Sequence, residues 1–345
     1  MNEQQTIEAY KRKVAIRNTL IIIGCVLLLI ISLIVSMDTG YIKMSPVDVL
    51  RTLFGKGTDK EKLILFDFRL PRIIVSMLVG GGLALSGCII QSVSKNPLAD
   101  PGLLGINAGA SLMVILYVLI FSAESFLSVF TLPFLALIGA GTTAVIVYLF
   151  SYNKNEGIST MRLVLTGVAV QAGVSALTTL LVVKLDDTQY NFVVAWQVGS
   201  IWGSNWKFVL TLLPWLLVLI PYILIKAPVM DILNLSDDIS YGLGVSVEKE
   251  RRRLLAASVA LAASCVAVSG SISFVGLIAP HLSRRLVGPR HRVLLLTSTL
   301  VGAVSVSIAD TIGRVIIQPS EIPTGIVVAI IGAPYFLYLL SNSEG

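Results

Sequence analysis

The chain has 345 residues, of which 55% are hydrophobic and only 13% charged, with a mean hydropathy of +0.86. A soluble core does not need so much apolar surface, so the composition excludes an ordinary soluble enzyme and points to one polytopic membrane domain. The formal charge of +6 does not imply nucleic acid, because the basic residues flank apolar runs instead of gathering on one face.

A spanning helix needs about 20 apolar residues. Runs near 19–37, 71–93, 103–122, 132–150, 162–183, 207–225, 253–269, 272–287, 293–313 and 323–340 meet or approach that length. We expect an all-α membrane protein of about ten spans, with a cytoplasmic segment 1–18, one transmembrane domain 19–341 and a tail 342–345. Lys11, Arg12, Lys13 and Arg17 precede the first span, Arg251, Arg252 and Arg253 the seventh, and Arg284, Arg285, Arg290 and Arg292 follow the eighth. An even number of spans places both termini and these clusters in the cytoplasm. The first apolar run is long and has no A-x-A-like site before Met37, so it reads as an uncleaved span.

Loop 38–72, expected outside, departs from that charge rule with Lys43, Arg51, Lys56, Lys60, Lys62, Arg69 and Arg72. Within it Val47, Leu50, Leu53 and Phe54 fall at helical spacing, which suggests an amphipathic helix at the outer interface. Pro71 suits a first helical turn. Arg69 and Arg72 lie three apart on one face, and spacing alone favours their anchoring the helix end at the headgroups. Gly80, Gly81, Gly82 and Gly87 then offer a surface on which another helix can approach closely.

Gln91–Gly105, QSVSKNPLADPGLLG, lies between two apolar runs and cannot be a spanning helix. Pro97 and Pro101 each remove a donor, and Asn96 and Asp100 precede prolines, where the helical region is disfavoured. Unpaired backbone is costly in hydrocarbon, so such a break is either a short cytoplasmic turn or part of a transport pathway buried in protein. Both readings stay open on pattern alone.

Further along, Ser151–Thr160 is a polar loop and Lys184–Trp206 an outer one, whose tryptophans read as interfacial belt residues. Asp231–Glu250 is the longest cytoplasmic stretch, read as two short helices: one capped by Ser236 and broken at Gly242 and Gly244, one carrying Glu248, Lys249 and Glu250. They either pack under the bundle or dock a soluble partner. Pro280 breaks Gly270–Arg285, and His281 reads as a solvated helix end. Asp310 and Arg314, four apart, can pair on one helical face. Cys25, Cys88 and Cys265 fall inside spans without metal-ligand spacing and read as packing residues.

The sequence holds no G-x-x-x-x-G-K-[ST] phosphate loop and no H-E-x-x-H. Asp310 is the one carboxylate we place within a span. An ion-coupled secondary transporter usually needs more intramembrane ionisable groups. That reading remains the alternative to a conduit powered from elsewhere.

In order, Arg69-Leu70-Pro71-Arg72, Ser86-Gly87, Gln91, Asn96-Pro97-Leu98-Ala99-Asp100-Pro101-Gly102-Leu103-Leu104-Gly105, Trp196 with Gly199 and Gly242-Leu243-Gly244 resemble the FecCD-type permeases of ABC importers. So do Gly270-Ser271-Ile272-Ser273-Phe274-Val275-Gly276-Leu277 with Pro280-His281, then His291-Arg292, Asp310 with Arg314, Ile322-Pro323-Thr324-Gly325, and Gly332-Ala333-Pro334. The resemblance covers nearly the whole chain from about residue 60.

It implies a type II ABC importer permease of ten helices for iron–siderophore complexes, haem or cobalamin, multi-pass in a prokaryotic cell membrane. Its implied partners are a second permease subunit, identical or homologous, two cytoplasmic ATPase subunits and an extracytoplasmic solute-binding protein, beside membrane lipid. No cofactor is implied for this chain, ATP and Mg being bound by the partner ATPase, and no nucleic acid. By the same resemblance Arg69, Arg72 and Arg314 dock the binding protein, which reverses the anchoring reading of the first two. Ser236, Asp237, Asp238, Tyr241, Gly242, Leu243 and Gly244 couple to the ATPase, and Asn96, Pro97, Leu98, Thr160 and Met161 form the gate. Lys95 stands where the family often has arginine, so the charge is kept.

Overall fold

A computed structural model describes residues 3–40, 44–121, 131–153, 157–158, 160–317 and 319–341. The first span is one helix, α1 (Glu3–Asp38), so the basic segment expected as a separate 1–18 element is helical and continuous with it from Glu3 onward. Then come α2 (Pro46–Leu53) and α3 (Asp59–Lys62), which runs through a π-helical stretch, Leu63–Arg69, into α4 (Leu70–Ser94). Ser45 and Asp48 form a capping box that starts α2. Its Val47, Leu50 and Phe54 are exposed, the side chains expected to meet the interface.

A 3-10 turn (Pro101–Leu104) leads into α5 (Ile106–Ile120), followed by α6 (Thr131–Ser151). A two-residue hairpin pairs β1 (Tyr152–Asn153) with β2 (Gly157–Ile158). The remaining helices are α7 (Thr160–Val182), α8 (Asp187–Val198), α9 (Trp206–Leu233), α10 (Asp237–Gly242), α11 (Val247–Ser269), α12 (Val275–Val287), α13 (His291–Ile316) and α14 (Thr324–Ser341). Seven of the expected spans, in α1, α3–α4, α6, α7, α9, α11 and α13, are long and apolar enough to cross a membrane; α5 and α14 are shorter apolar helices, and α12 is shorter still.

The bundle is built around α4. Its apolar stretch is 83% buried, against 11% for that of α7, and α13, α11, α12 and α9 pack on it. Small residues make this possible. A Cβ on Gly80 would overlap the Gly302 carbonyl of α13, and one on Gly87 the Gly276 carbonyl of α12; Gly81 faces Thr299 and Gly82 faces Cys265. With side chains on both partners the helix axes could not come this close.

Three boundaries differ from expectation, each for a local reason. Span 103–122 begins only at Ile106, because Pro101–Leu104 is a 3-10 turn ended by Gly105 in the left-handed region. Span 272–287 begins at Val275, because Gly270 (φ +68°) and Phe274 (φ +68°) break the chain before it. The second short helix of Asp231–Glu250 is not separate: Glu248–Glu250 are the first turn of α11. The outer loop 184–206, read without structure, holds α8, started by a capping box between Asp186 and Gln189.

Candidate translocation pathway and its two ends

The break after α4 starts at the exposed Lys95 and Pro97 but does not stay at the surface. Lys95 ends α4 in the left-handed conformation (φ 52°), and the chain then turns back into the bundle. Asn96 Oδ1 accepts from the Leu98 amide (2.9 Å) and Asp100 Oδ1 from that of Gly102 (2.7 Å), satisfying backbone that the prolines leave without helical partners. Asp100, Pro101 and Gly102 line a small crevice with Leu83 and Gly276. Leu83 stands three turns above Ser94, about 16 Å at 1.5 Å per residue, so this segment reaches roughly mid-membrane. Asp100 is therefore a second carboxylate at membrane depth, beyond the Asp310 expected from sequence.

Two half-length helices start there. α5 runs from the break toward one face, and α12 runs from Gly276 toward the other. Half-helices that begin inside the membrane expose their N-terminal dipoles to whatever passes. Pro280 has no amide for the Gly276 carbonyl. Gln91 Nε2 on α4 supplies the missing donor, at 3.4 Å from Gly276 O and 3.2 Å from Leu277 O. His281 is half-buried, its ring edge-on to Tyr335 at 6.1 Å between centroids and its Nε2 buried without a hydrogen-bond partner among the described residues, so it is not the solvated helix end expected.

Beside the start of α5 lies a polar cavity of about 280 Å3. Gln171, Ser175 and Thr179, four residues apart along α7, face Asn107 and Ser111 of α5 across it, with Gln197 and Ser271 at its edge. Gln171, Ser175 and Thr179 are also exposed on the outside of the chain. Amides and hydroxyls on the outer face of a spanning helix are costly against lipid. The cavity gives this stripe a polar neighbour and is open along α7. Of these seven residues only Ser271 was quoted from sequence, within the Gly270–Leu277 motif; for those on α7 the i, i+4, i+8 polar stripe in an apolar span was the available signal.

At the basic end, the break is tied to α10. Lys95 Nζ donates to Leu235 O (2.8 Å) and to Asp237 Oδ1 (3.0 Å), while Arg251 grips both Asp237 oxygens at 2.7 and 3.0 Å. Partial burial pushes the Asp237 carboxyl up, but Lys95 and Arg251 outweigh it and hold it below its ordinary value. Ser236 caps α10 through the Ile239 amide. Ile239, Tyr241 and Leu243 point outward, exposed, with Gly242 and the left-handed Gly244 (φ +81°) ending the turn. Asp238 lies in the first turn. Pro97 is exposed and Asn96 and Leu98 half-buried; Pro101–Leu104 packs on α7, whose Met161 is exposed. Ser159 and the Thr160 side chain lie outside the described residues.

At the other end, Arg69, Arg72 and Arg314 come together, but not as a free basic patch. Arg72 meets Asp310 (2.9 Å) and Glu321 (2.8 Å), and Arg314 meets Asp310 (3.3 Å). Thr324 Oγ1 donates to Asp310 as well (3.1 Å). Arg69 donates to the Met37 carbonyl, and Arg314 to the Ser36 side chain and, at 3.4 Å, to the Ser36 and Thr39 carbonyls. These two arginines satisfy carbonyls at the C-terminus of α1, which has no basic residue in its own last turn. All three are nearly buried, with Arg69 and Arg314 6% exposed.

A family model described as the FecCD transport family matches residues 28–342. The chain belongs to that family. It is 46% identical over 322 residues to the iron(3+)-hydroxamate import system permease FhuG of Bacillus subtilis, covering 92% of this chain and 95% of that protein. It is 36% identical over 316 residues to the hemin transport system permease HmuU of Yersinia pestis, covering 91% and 93%. An inward-facing metal-chelate type ABC transporter superposes with a TM-score of 0.81 at 32% identity, covering 94% of this chain and 99% of that one. This FecCD chain is thus a permease subunit of an ABC importer, a multi-pass protein of a bacterial membrane, and works with ATPase and substrate-binding partners.

Proposed function

We propose that the protein imports ferric hydroxamate siderophores, as one half of a permease dimer whose two copies of the α7 face enclose the passage. The polar cavity beside α7 carries this reading, since a stripe of amides and hydroxyls on a membrane surface needs a wet neighbour. Its lining has hydrogen-bonding groups but no histidine, cysteine or carboxylate. Iron would therefore cross inside its chelator, not on protein ligands. The 46% identity to a hydroxamate permease, against 36% to a hemin permease, supports the substrate class.

In this reading the basic clusters and both termini face the cytoplasm. ATP and its Mg sit in two partner ATPase subunits, which press on the exposed Ile239, Tyr241 and Leu243 of α10. Motion of α10 reaches the gate (Asn96–Leu98, with Thr160 and Met161) because Asp237 is held by Lys95, the residue before Asn96. The binding protein docks at the outer arginine cluster. Its acids compete for Arg72 at Glu321, the cluster's exposed edge.

Uptake of radioiron in a strain lacking the chain tests the substrate. Ferric hydroxamate uptake should be lost on deletion and restored by the chain. Restoration of ferric citrate or hemin uptake alone would contradict the assignment. For docking, Glu321→Gln should tighten binding of the loaded binding protein to the reconstituted importer; unchanged affinity would contradict the exchange at Arg72.

A further inference from the structure

A second, larger cavity lies away from the polar one. It holds about 560 Å3 between α6, α9 and α11, walled by Leu137 and Val145 of α6, Ala256 and Ala260 of α11, and Trp215 of α9. Ala256 and Val145 are exposed, so the cavity is a groove open at the surface of the chain, between helices long and apolar enough to cross a membrane. Along α11 its lining runs from Arg252 to Ala263, about 16 Å at the helical rise. One leaflet of a bilayer's hydrocarbon is about 15 Å deep.

The groove's basic end is its only charged part. Of the triplet at the start of α11, Arg251 is committed to Asp237 and Arg253 to Glu250 (2.7 Å). Arg252 instead lies close enough to Tyr148 to act on its hydroxyl, and both residues line the groove. Glu248, one turn earlier, also acts on Tyr148. Among the described residues no carboxylate comes within salt-bridge distance of Arg252. A cation with a phenol beside it, above a leaflet-deep apolar slot, fits a phosphate on two acyl chains.

We infer that this groove binds one anionic phospholipid of the cytoplasmic leaflet, with an acyl chain against Ala256 and Trp215 and its phosphate at Arg252 and Tyr148. The lipid would fill the space between α6 and α11 and hold α11, the helix that carries the α10 coupling contact through Arg251.

Trp215 supplies the probe. A chain with Trp196→Phe, Trp202→Phe and Trp206→Phe keeps it as the sole tryptophan. In nanodiscs, acyl-brominated phosphatidylglycerol should quench Trp215 at a lower mole fraction than brominated phosphatidylcholine, by about fivefold for one basic residue at the surface. Arg252→Ala should abolish that preference and Arg252→Lys retain most of it. Ala256→Trp, measured by native mass spectrometry of the full importer, should lose the retained phosphatidylglycerol. Equal quenching by the two lipids, quenching by neither, or a preference that survives Arg252→Ala would each overturn the inference, as would retained chelate in place of lipid.

Discussion

Asp310 shows how much one side chain can hold. It is 1% exposed and bonds Arg72, Arg314 and Thr324, so removing it leaves Arg72 with Glu321 as its carboxylate and Arg314 with only neutral acceptors on and beside α1. Loss of one partner from a buried pair costs about 3–5 kcal/mol. Asp310→Ala should lower thermal stability in lipid accordingly, and no shift in the melting transition would refute the pairing. Gln91→Leu leaves the Gly276 carbonyl without a donor, at about 1–3 kcal/mol, readable in the same assay. Asp237 behaves differently, because the Lys95–Asp237 pair is 39% and 45% exposed and so adds little stability. It is a geometric tie. Because its carboxyl is held below the ordinary value, the tie is intact above that value and fails only as acid takes the pH through the lowered one. Amine-reactive labelling of Lys95 should thus be unaffected by Asp237 titration near neutral pH and rise in Asp237→Asn; equal labelling of variant and parent would count against the tie.

Among elements, the break after α4 was legible because proline acts locally: Pro97 and Pro101 forbid a helix whatever packs around them. How far the break climbs was not legible, since that depends on Leu83 and Gly276, distant in sequence, leaving room for it. The same holds for Arg69 and Arg314. Their spacing near helix ends was visible, but their acceptors are on α1, and no local pattern pairs residues 32 or 278 positions apart. The small residues of α4 were read from composition, and the structure assigns each its neighbour. Gly87→Val would drive a branched side chain into the Gly276 backbone. It should abolish accumulation of folded protein in membranes, whereas Gly141→Val, with open space around it, should be tolerated. Comparable expression of both would contradict the close α4–α12 contact. α8 was missed although its Asp186–Gln189 capping box was readable, because the tryptophans of that loop drew the interpretation to the interface.

As a whole the molecule has a packed core around α4, a polar strip on the outside of α7, and one short helix tied to the chain break, which on the proposed reading makes it half a conduit. Composition disclosed the membrane class at once, and the ordered motifs the family. The polar cavity itself was hidden, because its lining is divided among α5, α7, α8 and the 270–274 segment, each contributing one to four polar groups to an otherwise apolar stretch. Gln171→Leu with Ser175→Leu should leave the fold intact and cut uptake at least tenfold; uptake unchanged would move the passage elsewhere. The central claim is that this chain supplies the path while a partner ATPase supplies the energy through α10. The direct measurement is ferric hydroxamate uptake into proteoliposomes holding permease, ATPase and binding protein, with ATP inside. The account requires accumulation with ATP, and continued hydrolysis with little uptake when Asp237→Ala cuts the tie to Lys95. Accumulation driven by an ion gradient in vesicles without the ATPase would contradict it.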